Sequence, residues 1–334
     1  MSEPVLEVRD LSVSIGDTPI VRDVSFAVAK GERMGLVGES GSGKTLTVLA
    51  VMGLLRAPLR VSGGEALLGG TDLTKLKRRQ LDRIRGGRIG MIYQDPMASL
   101  NPLHRVGDQI GEAIRLHTGL DKRAARERTV ELLDEVGIKD PASRARSYPH
   151  ELSGGMRQRA MIAMALGADP EVLLCDEPTT ALDVTTQRRI VELLLRISEQ
   201  RGLALVMITH DLGVAAGFCE RIAVMYAGRI VEQAPVDELY ARPRHPYAES
   251  LLGAACDLTL DLEAPIPAIP GRPPMPGELP QGCSFNPRCR YAQEKCRGVE
   301  PPLEPRGDGA VACYFELGSH RVAEHVPVAE AADE

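Results

Sequence analysis

Eight consecutive residues carry the densest chemistry in the chain: Gly38-Glu39-Ser40-Gly41-Ser42-Gly43-Lys44-Thr45. They fit the pattern G-x-x-x-x-G-K-[ST]. Glycines at this spacing let successive backbone N–H groups curl around a chain of phosphates. Lys44 then reaches the outer phosphates, and the Thr45 hydroxyl is placed to ligate Mg²⁺. The expected phosphate-binding set is Gly38, Ser40, Gly41, Ser42, Gly43, Lys44 and Thr45. The flanks supply the context that the pattern needs. Met34-Gly35-Leu36-Val37 reads as a short buried strand. Residues 46–55 are apolar or small and read as a helix that stops before Pro58. Such a helix turns its positive N-terminal end toward the phosphates.

A second group of acids complements the loop. Val172-Leu173-Leu174-Cys175-Asp176-Glu177 is an apolar strand ending in two carboxylates. Asp176 suits a Mg²⁺ ligand, and Glu177 suits a general base that polarises the attacking water. Many strands end in acids, so the pair gains its meaning from the phosphate loop. Cys175 reads as a small buried apolar residue. Ser153, Gly154 and Gly155 open a predicted helix running through Arg157, Met161 and Leu166. Its N-terminus is another anion site, although Ser153 would equally cap a helix that has no ligand. Taken alone, His210 reads as a core histidine and Gln94 as a surface glutamine.

These side chains need a framework. Residues 5–8, 11–15 and 24–28 read as short strands, 63–76 as a turn-rich sheet segment, and 88–93 as a strand. Residues 172–175 and 203–208 read as buried strands, with a helix marked by Ile190, Leu193, Leu194 and Ile197 between them. Residues 106–137 are helical in pattern, with Val106, Ile110 and Ile114 four apart and Val130, Leu133 and Val136 three apart. Residues 221–233 form a hairpin pivoting near Ala227-Gly228. At ~150 residues per domain, 334 residues suggest two domains, or one large domain with an extension. The net charge of -6 and 3% aromatic residues, with no Trp, argue against a basic or base-stacking nucleic-acid binder. No apolar run approaches the ~20 residues that span a bilayer, so a cytoplasmic, soluble or peripheral protein is expected.

The composition changes after about Pro243. Pro265, Pro267, Pro270, Pro273, Pro274, Pro276 and Pro280 crowd one stretch, which reads as an irregular extended segment. Of the seven cysteines, Cys175, Cys219 and Cys256 are scattered, whereas Cys283, Cys289, Cys296 and Cys313 follow a C-x5-C-x6-C-x16-C spacing. In a cytoplasmic chain such a cluster reads as a metal site before it reads as disulfides. Four thiolates suit one zinc or one iron–sulfur cluster, and the C-x2-4-C pairs commoner in zinc sites are absent. Residues 319–334 read as a disordered tail.

Leu152-Ser153-Gly154-Gly155-Met156-Arg157-Gln158-Arg159 resembles the signature motif of ATP-binding-cassette (ABC) ATPases. Tyr93-Gln94-Asp95-Pro96 resembles their Q-loop, Ala181-Leu182-Asp183 their D-loop, and Ile208-Thr209-His210-Asp211 their switch histidine. Six ordered motifs thus cover residues 5–235. The resemblance implies an α/β fold: a P-loop (RecA-like) nucleotide-binding core with an antiparallel β subdomain and an inserted helical subdomain, plus an irregular Pro/Cys-rich C-terminal extension. The implied division is 1–240 for the nucleotide-binding domain, with the helical part at about 100–168, and 241–318 for the extension. It also implies that His210 contacts the γ-phosphate and holds Glu177 and the water, and that Gln94 senses Mg²⁺ or water. Ser153, Gly154, Gly155 and Asp183 then complete the site of a second chain, two chains closing head to tail on two ATP molecules. One position departs from the pattern. Where the family stacks an aromatic residue on adenine, this chain has Ile15, an aliphatic side chain on which the base packs with less stacking energy.

Gln94-Asp95-Pro96-Met97-Ala98-Ser99-Leu100-Asn101-Pro102, the run from Asp176 to Thr185, His245-Pro246-Tyr247 and the cysteine spacing resemble the D-type ATPase subunits of bacterial dipeptide and oligopeptide importers. That branch implies two permease subunits, an F-type ATPase partner (an identical chain being the alternative) and, indirectly, an extracytoplasmic solute-binding protein. It also implies a peripheral place on the cytoplasmic face of the plasma (inner) membrane, and a [4Fe–4S] cluster on Cys283, Cys289, Cys296 and Cys313, with Zn²⁺ as the alternative. Nucleic acid is not an expected partner. The rival readings are an ABC ATPase for another solute, such as nickel or glycosides, and a nucleic-acid-remodelling ABC ATPase. The 59 positions between Gln94 and Ser153 leave room for a small helical insertion only.

Overall fold

Alternating apolar side chains at the N-terminus build one sheet, and short continuous apolar runs build another. The computed structural model describes residues 3–180, 182–254, 269–315 and 317. Ala181, Cys256, Pro265, Pro267 and the 319–334 tail lie outside the described residues. The strands are β1 (Pro4–Ile15), β2 (Thr18–Ala29), β3 (Arg33–Val37), β4 (Leu59–Leu68), β5 (Thr71–Asp72), β6 (Ile89–Ile92), β7 (Val172–Asp176), β8 (Ala204–Thr209), β9 (Arg221–Tyr226), β10 (Arg229–Pro235), β11 (Glu304–Arg306) and β12 (Gly309–Val311). The helices are α1 (Lys44–Val51), α2 (Arg78–Ile84), α3 (Pro96–Ser99), α4 (Val106–Thr118), α5 (Lys122–Glu135), α6 (Pro141–Arg144), α7 (Gly154–Ala165), α8 (Val184–Arg201), α9 (Leu212–Phe218), α10 (Val236–Ala241), α11 (Pro246–Ala254) and α12 (Glu294–Gly298).

The first sheet is antiparallel, in the order β2-β1-β4-β5. The two short strands expected at 5–8 and 11–15 are one strand, β1. Its register shifts between Val8 and Leu11, where Asp10 adopts a φ of 47°. A bulge of this kind resets the phase of the pleat, so Leu6, Val8, Leu11 and Val13 are all buried. The second sheet is mixed, in the order β11-β12-β10-β9-β3-β8-β7-β6. β3, β8, β7 and β6 run parallel in sequence of contact. Their residues are almost all buried, as expected for strands covered on both faces. Adjacent parallel strands end on the same edge, and ligands bind outside the carboxyl ends of such strands. The loops after β3, β8 and β7 therefore meet.

The helical pattern at 106–137 is two helices. α4 ends at Gly119, which takes a φ of 71°, and Asp121 caps α5 by accepting the N–H groups of Arg123 and Ala124. Ile110, Ile114, Leu132, Leu133, Met161, Ile162 and Leu166 pack α4, α5 and α7 into one core. Past residue 241 the chain is less irregular than its composition suggests. β12 pairs with β10, matching Val311 to Glu232, and β11 pairs with β12. Tyr247 and Phe285 are buried against Tyr226, with ring centroids 4.6 and 5.2 Å away. The free edge of β10 takes a strand through main-chain bonds, which need no side-chain pattern. Composition therefore gave no sign of it.

Candidate functional site

The phosphate loop leaves β3 and enters α1. Gly38 has a φ of 152°, and a Cβ there would lie 2.2 Å from the Met225 carbonyl oxygen; at Gly43, with a φ of 103°, it would lie 2.9 Å from Met225 Cε. Only glycine fits either position. Lys44 is buried and lies across the loop, its Nζ donating to the carbonyl oxygens of Gly38 at 2.7 Å and Glu39 at 2.9 Å. Burial lowers the Lys44 pKa, opposed by the carboxylates of Glu177, Asp176 and Glu39. Ser42 and Gly43 are buried, whereas Ser40, Gly41 and Thr45 face solvent.

The acids stand opposite. The Thr45 hydroxyl donates to Asp176 Oδ1 at 2.9 Å, so the two expected Mg²⁺ ligands already touch. Burial holds the Asp176 carboxyl above the usual range, although the Thr45 bond and Lys44 pull it down. Glu177 has a φ of 46°, an uncommon conformation for a non-glycine residue that aims its side chain at three neighbours. Gln94 Nε2 donates to its Oε2 at 3.0 Å and the Thr180 hydroxyl to the same oxygen at 2.8 Å, while His210 Nδ1 lies 3.1 Å from Oε1. Burial pushes the Glu177 pKa up, but the Thr180 and His210 hydrogen bonds and the charge of Lys44 outweigh it. The net result lies below the ordinary value, so the group is ionised at neutral pH and able to accept a proton. A cradle only glycine can form, a buried ammonium and a paired hydroxyl and carboxylate are the donor set that a Mg²⁺-nucleotide requires.

The structure thus brings together the phosphate loop, Asp176, Glu177, Gln94 and His210. Other expected residues stand apart. Ser153 caps α7, its hydroxyl accepting the Met156 N–H at 3.3 Å, and Ser153 and Gly154 are exposed. Asp183 is exposed and caps α8 through the Thr186 N–H at 2.9 Å. Among the described residues no hydrogen bond joins Ser153, Gly154, Gly155 or Asp183 to the phosphate loop. Ile15, at the end of β1, is 42% exposed. Thr180 was missed by sequence reasoning, although its place three residues after Glu177 was a usable signal. Gln158 was missed too; it is buried, and its Nε2 donates to the Pro178 carbonyl at 2.6 Å, tying α7 to the turn after Glu177.

Cys283, Cys289, Cys296 and Cys313 line one small pocket of about 20 Å³ with His245, Phe285 and Phe315. Four soft donors facing one space suit a thiophilic metal chemically. Their geometry does not: among the described residues no group of three or more His, Cys, Asp or Glu side chains is placed to hold a metal ion. The expected coordination of a [4Fe–4S] cluster or Zn²⁺ is not supported by these positions: the thiols line one pocket without forming a ligand set. Burial pushes Cys283 up to about 11 and Cys289 to about 12, so as bare thiols they stay protonated at neutral pH and pack like small apolar groups. Cys175 lies fully buried in the core, as expected.

A family model described as "ABC transporter" matches residues 21–180, and one described as "Oligopeptide/dipeptide transporter, C-terminal region" matches residues 231–296. The dipeptide transport ATP-binding protein DppD of Escherichia coli (strain K12) is 46% identical over 318 residues, covering 94% of this chain and 97% of that protein. The chain belongs to the ABC transporter family. The oligopeptide transport ATP-binding protein OppD of Salmonella typhimurium is 48% identical over 317 residues, covering 93% of each chain. The ABC cassette MJ0796, in a dimeric post-hydrolysis state bound to ADP and Pi, matches with a TM-score of 0.61 at 27% identity, over 69% of this chain and 98% of that one. The mixed α/β cassette fold is therefore that of an ABC ATPase. No helix among the described residues is long and apolar enough to cross a membrane.

Proposed function

We propose that this chain is the ATP-hydrolysing motor subunit of an importer of di- and oligopeptides. The observation that carries the enzymatic part is the convergence of Gln94, Thr180 and His210 on the Glu177 carboxylate, beside the Thr45–Asp176 pair and the Lys44 ammonium. The peptide assignment is supported by likeness to DppD and OppD over nearly the whole length of each.

In this reading residues 38–45 wrap the nucleotide phosphates through backbone N–H groups, and Lys44 turns from its loop carbonyls to them. Thr45 and Asp176 would hold Mg²⁺, with Gln94 nearby; the ion supplies charge neutralisation at the phosphates. Glu177 takes a proton from the attacking water. His210 orients Glu177 and reaches toward the terminal phosphate. The exposure of Ser153, Gly154 and Asp183 fits surfaces that close on a nucleotide held by a second ATPase chain, F-type or identical. Ile15 packs on the base. Closure moves two permease subunits, fed by a solute-binding protein, with this chain peripheral on the cytoplasmic face of the inner membrane. Residues 1–240 form the nucleotide-binding domain, with an antiparallel β part and a helical part at about 100–168; residues 241–318 are the importer-type extension, and 319–334 a tail. The likeness to importer subunits and the one pocket shared by the four cysteines favour a [4Fe–4S] cluster, or Zn²⁺ in its place, as a staple of that extension; holding it would require the thiols to draw into a ligand set that they do not form here.

The test is uptake of a labelled dipeptide by cells deleted for the gene. Wild-type chain restores uptake, and Lys44→Ala, which removes the loop cation, does not. Undiminished dipeptide uptake in the deletion strain would remove peptide import from the reading.

A further inference from the structure

The phosphate loop carries an acid. Glu39 lies among backbone groups whose expected work is to gather negative phosphates, and a bare carboxylate there opposes that charge. It is not bare. Arg288, 249 positions away and with only 5% of its side chain exposed, forks onto it: Nη1 donates to Glu39 Oε2 at 2.7 Å and Nη2 to Oε1 at 3.0 Å. The guanidinium is itself held from other sides. Its Nε donates to the Pro270 carbonyl at 2.8 Å, and it lies 5.8 Å from the Tyr226 ring centroid and 6.0 Å from that of Phe285. A second contact comes from α11, where the Tyr247 hydroxyl accepts the Glu39 N–H at 2.8 Å. Both partners come from residues beyond the cassette strands, and Arg288 stands between Cys283 and Cys289 in the chain.

We propose that Arg288 is a positioning residue of the nucleotide site, neutralising Glu39 and holding the phosphate loop in its binding shape, so that nucleotide affinity depends on the C-terminal segment. A forked Arg–carboxylate pair fixes direction as well as charge. The main chain of the same residue is gripped on both sides, its N–H by Tyr247 and its carbonyl by Lys44. The proposal rests on the nucleotide-binding reading above, and Lys44→Ala separates the two.

The experiment is titration of the full-length chain with ADP, with folding checked by circular dichroism. Arg288→Gln leaves the carboxylate uncompensated and raises the ADP Kd about tenfold or more. Adding Glu39→Gln to it brings the Kd back to within about threefold of the parent, a rescue that a purely structural role for Arg288 does not produce. Glu39→Gln alone leaves a net positive charge beside the phosphates and lowers the Kd; this variant still decides the matter if Arg288→Gln fails to fold. An unchanged Kd in Arg288→Gln, no rescue in the double variant, or no tightening in Glu39→Gln overturns the proposal. A parent chain that binds ADP no better than Lys44→Ala overturns the nucleotide reading itself.

Discussion

Glu177→Gln isolates the charge of the proposed base from its shape. In the structure Glu177 Oε2 accepts two donors, from Gln94 and Thr180, while Oε1 faces His210 Nδ1. A glutamine keeps its carbonyl oxygen where the two donors converge and turns its amide toward His210, which accepts when its proton sits on Nε2. No partner is orphaned, so stability changes by no more than about 0.5 kcal/mol. Nucleotide binding is kept or tightened, because a negative charge beside the phosphate site is gone. Turnover is what falls. A positioned general base contributes roughly 10²–10⁴-fold, equivalent to about 2.7–5.4 kcal/mol of barrier at 1.36 kcal/mol per decade. Phosphate release is measured against ATP concentration so that kcat and KM separate, and binding is followed with the same preparation. Loss confined to kcat is the expected signature. Turnover within about threefold of the parent would show that the water loses its proton elsewhere, and lost ATP binding would show that Glu177 is part of the binding scaffold instead.

The same network sets a pH dependence: burial raises the Glu177 pKa, and the Thr180 hydroxyl is the foremost of the bonds that bring it down. Thr180→Val therefore raises it, and since the base must be ionised, the acid limb of the kcat profile moves to higher pH; an unmoved limb removes Thr180 from this role. Gly38→Ala puts a Cβ 2.2 Å from the Met225 carbonyl oxygen at a φ of 152° and lowers stability by about 3 kcal/mol or more, read as a fall in the denaturant midpoint. Anaerobically purified chain carries about four iron and four sulfide, lost in Cys289→Ser; one zinc supports the alternative, and neither element leaves only a thiol-lined pocket.

Much of the site was legible because its chemistry is local. The phosphate loop is eight consecutive residues whose glycines, lysine and threonine act from one turn, and Asp176 and Glu177 end one apolar run. The parallel strands β3, β7 and β8 were equally plain, since buried strands are written as short apolar runs. Other features were decided only in three dimensions. Gln94 and His210 meet Glu177 across 83 and 33 positions because β6, β7 and β8 lie side by side, and the phosphate loop reaches them only because β3 inserts beside β8, a placement that chain order does not contain. β12 pairs by main chain alone, which leaves no side-chain signature. The four cysteines announced a shared place by spacing, but whether thiols converge or coordinate depends on distances of a few ångströms set by the packing around Phe285 and Phe315. Arg288 and Glu39 lie 249 positions apart and meet only because the fold buries one against the other. Local motifs show in the sequence because covalent neighbours share one backbone geometry; partners far apart in the chain are chosen by whichever packing buries the most surface while leaving no charge unpaired.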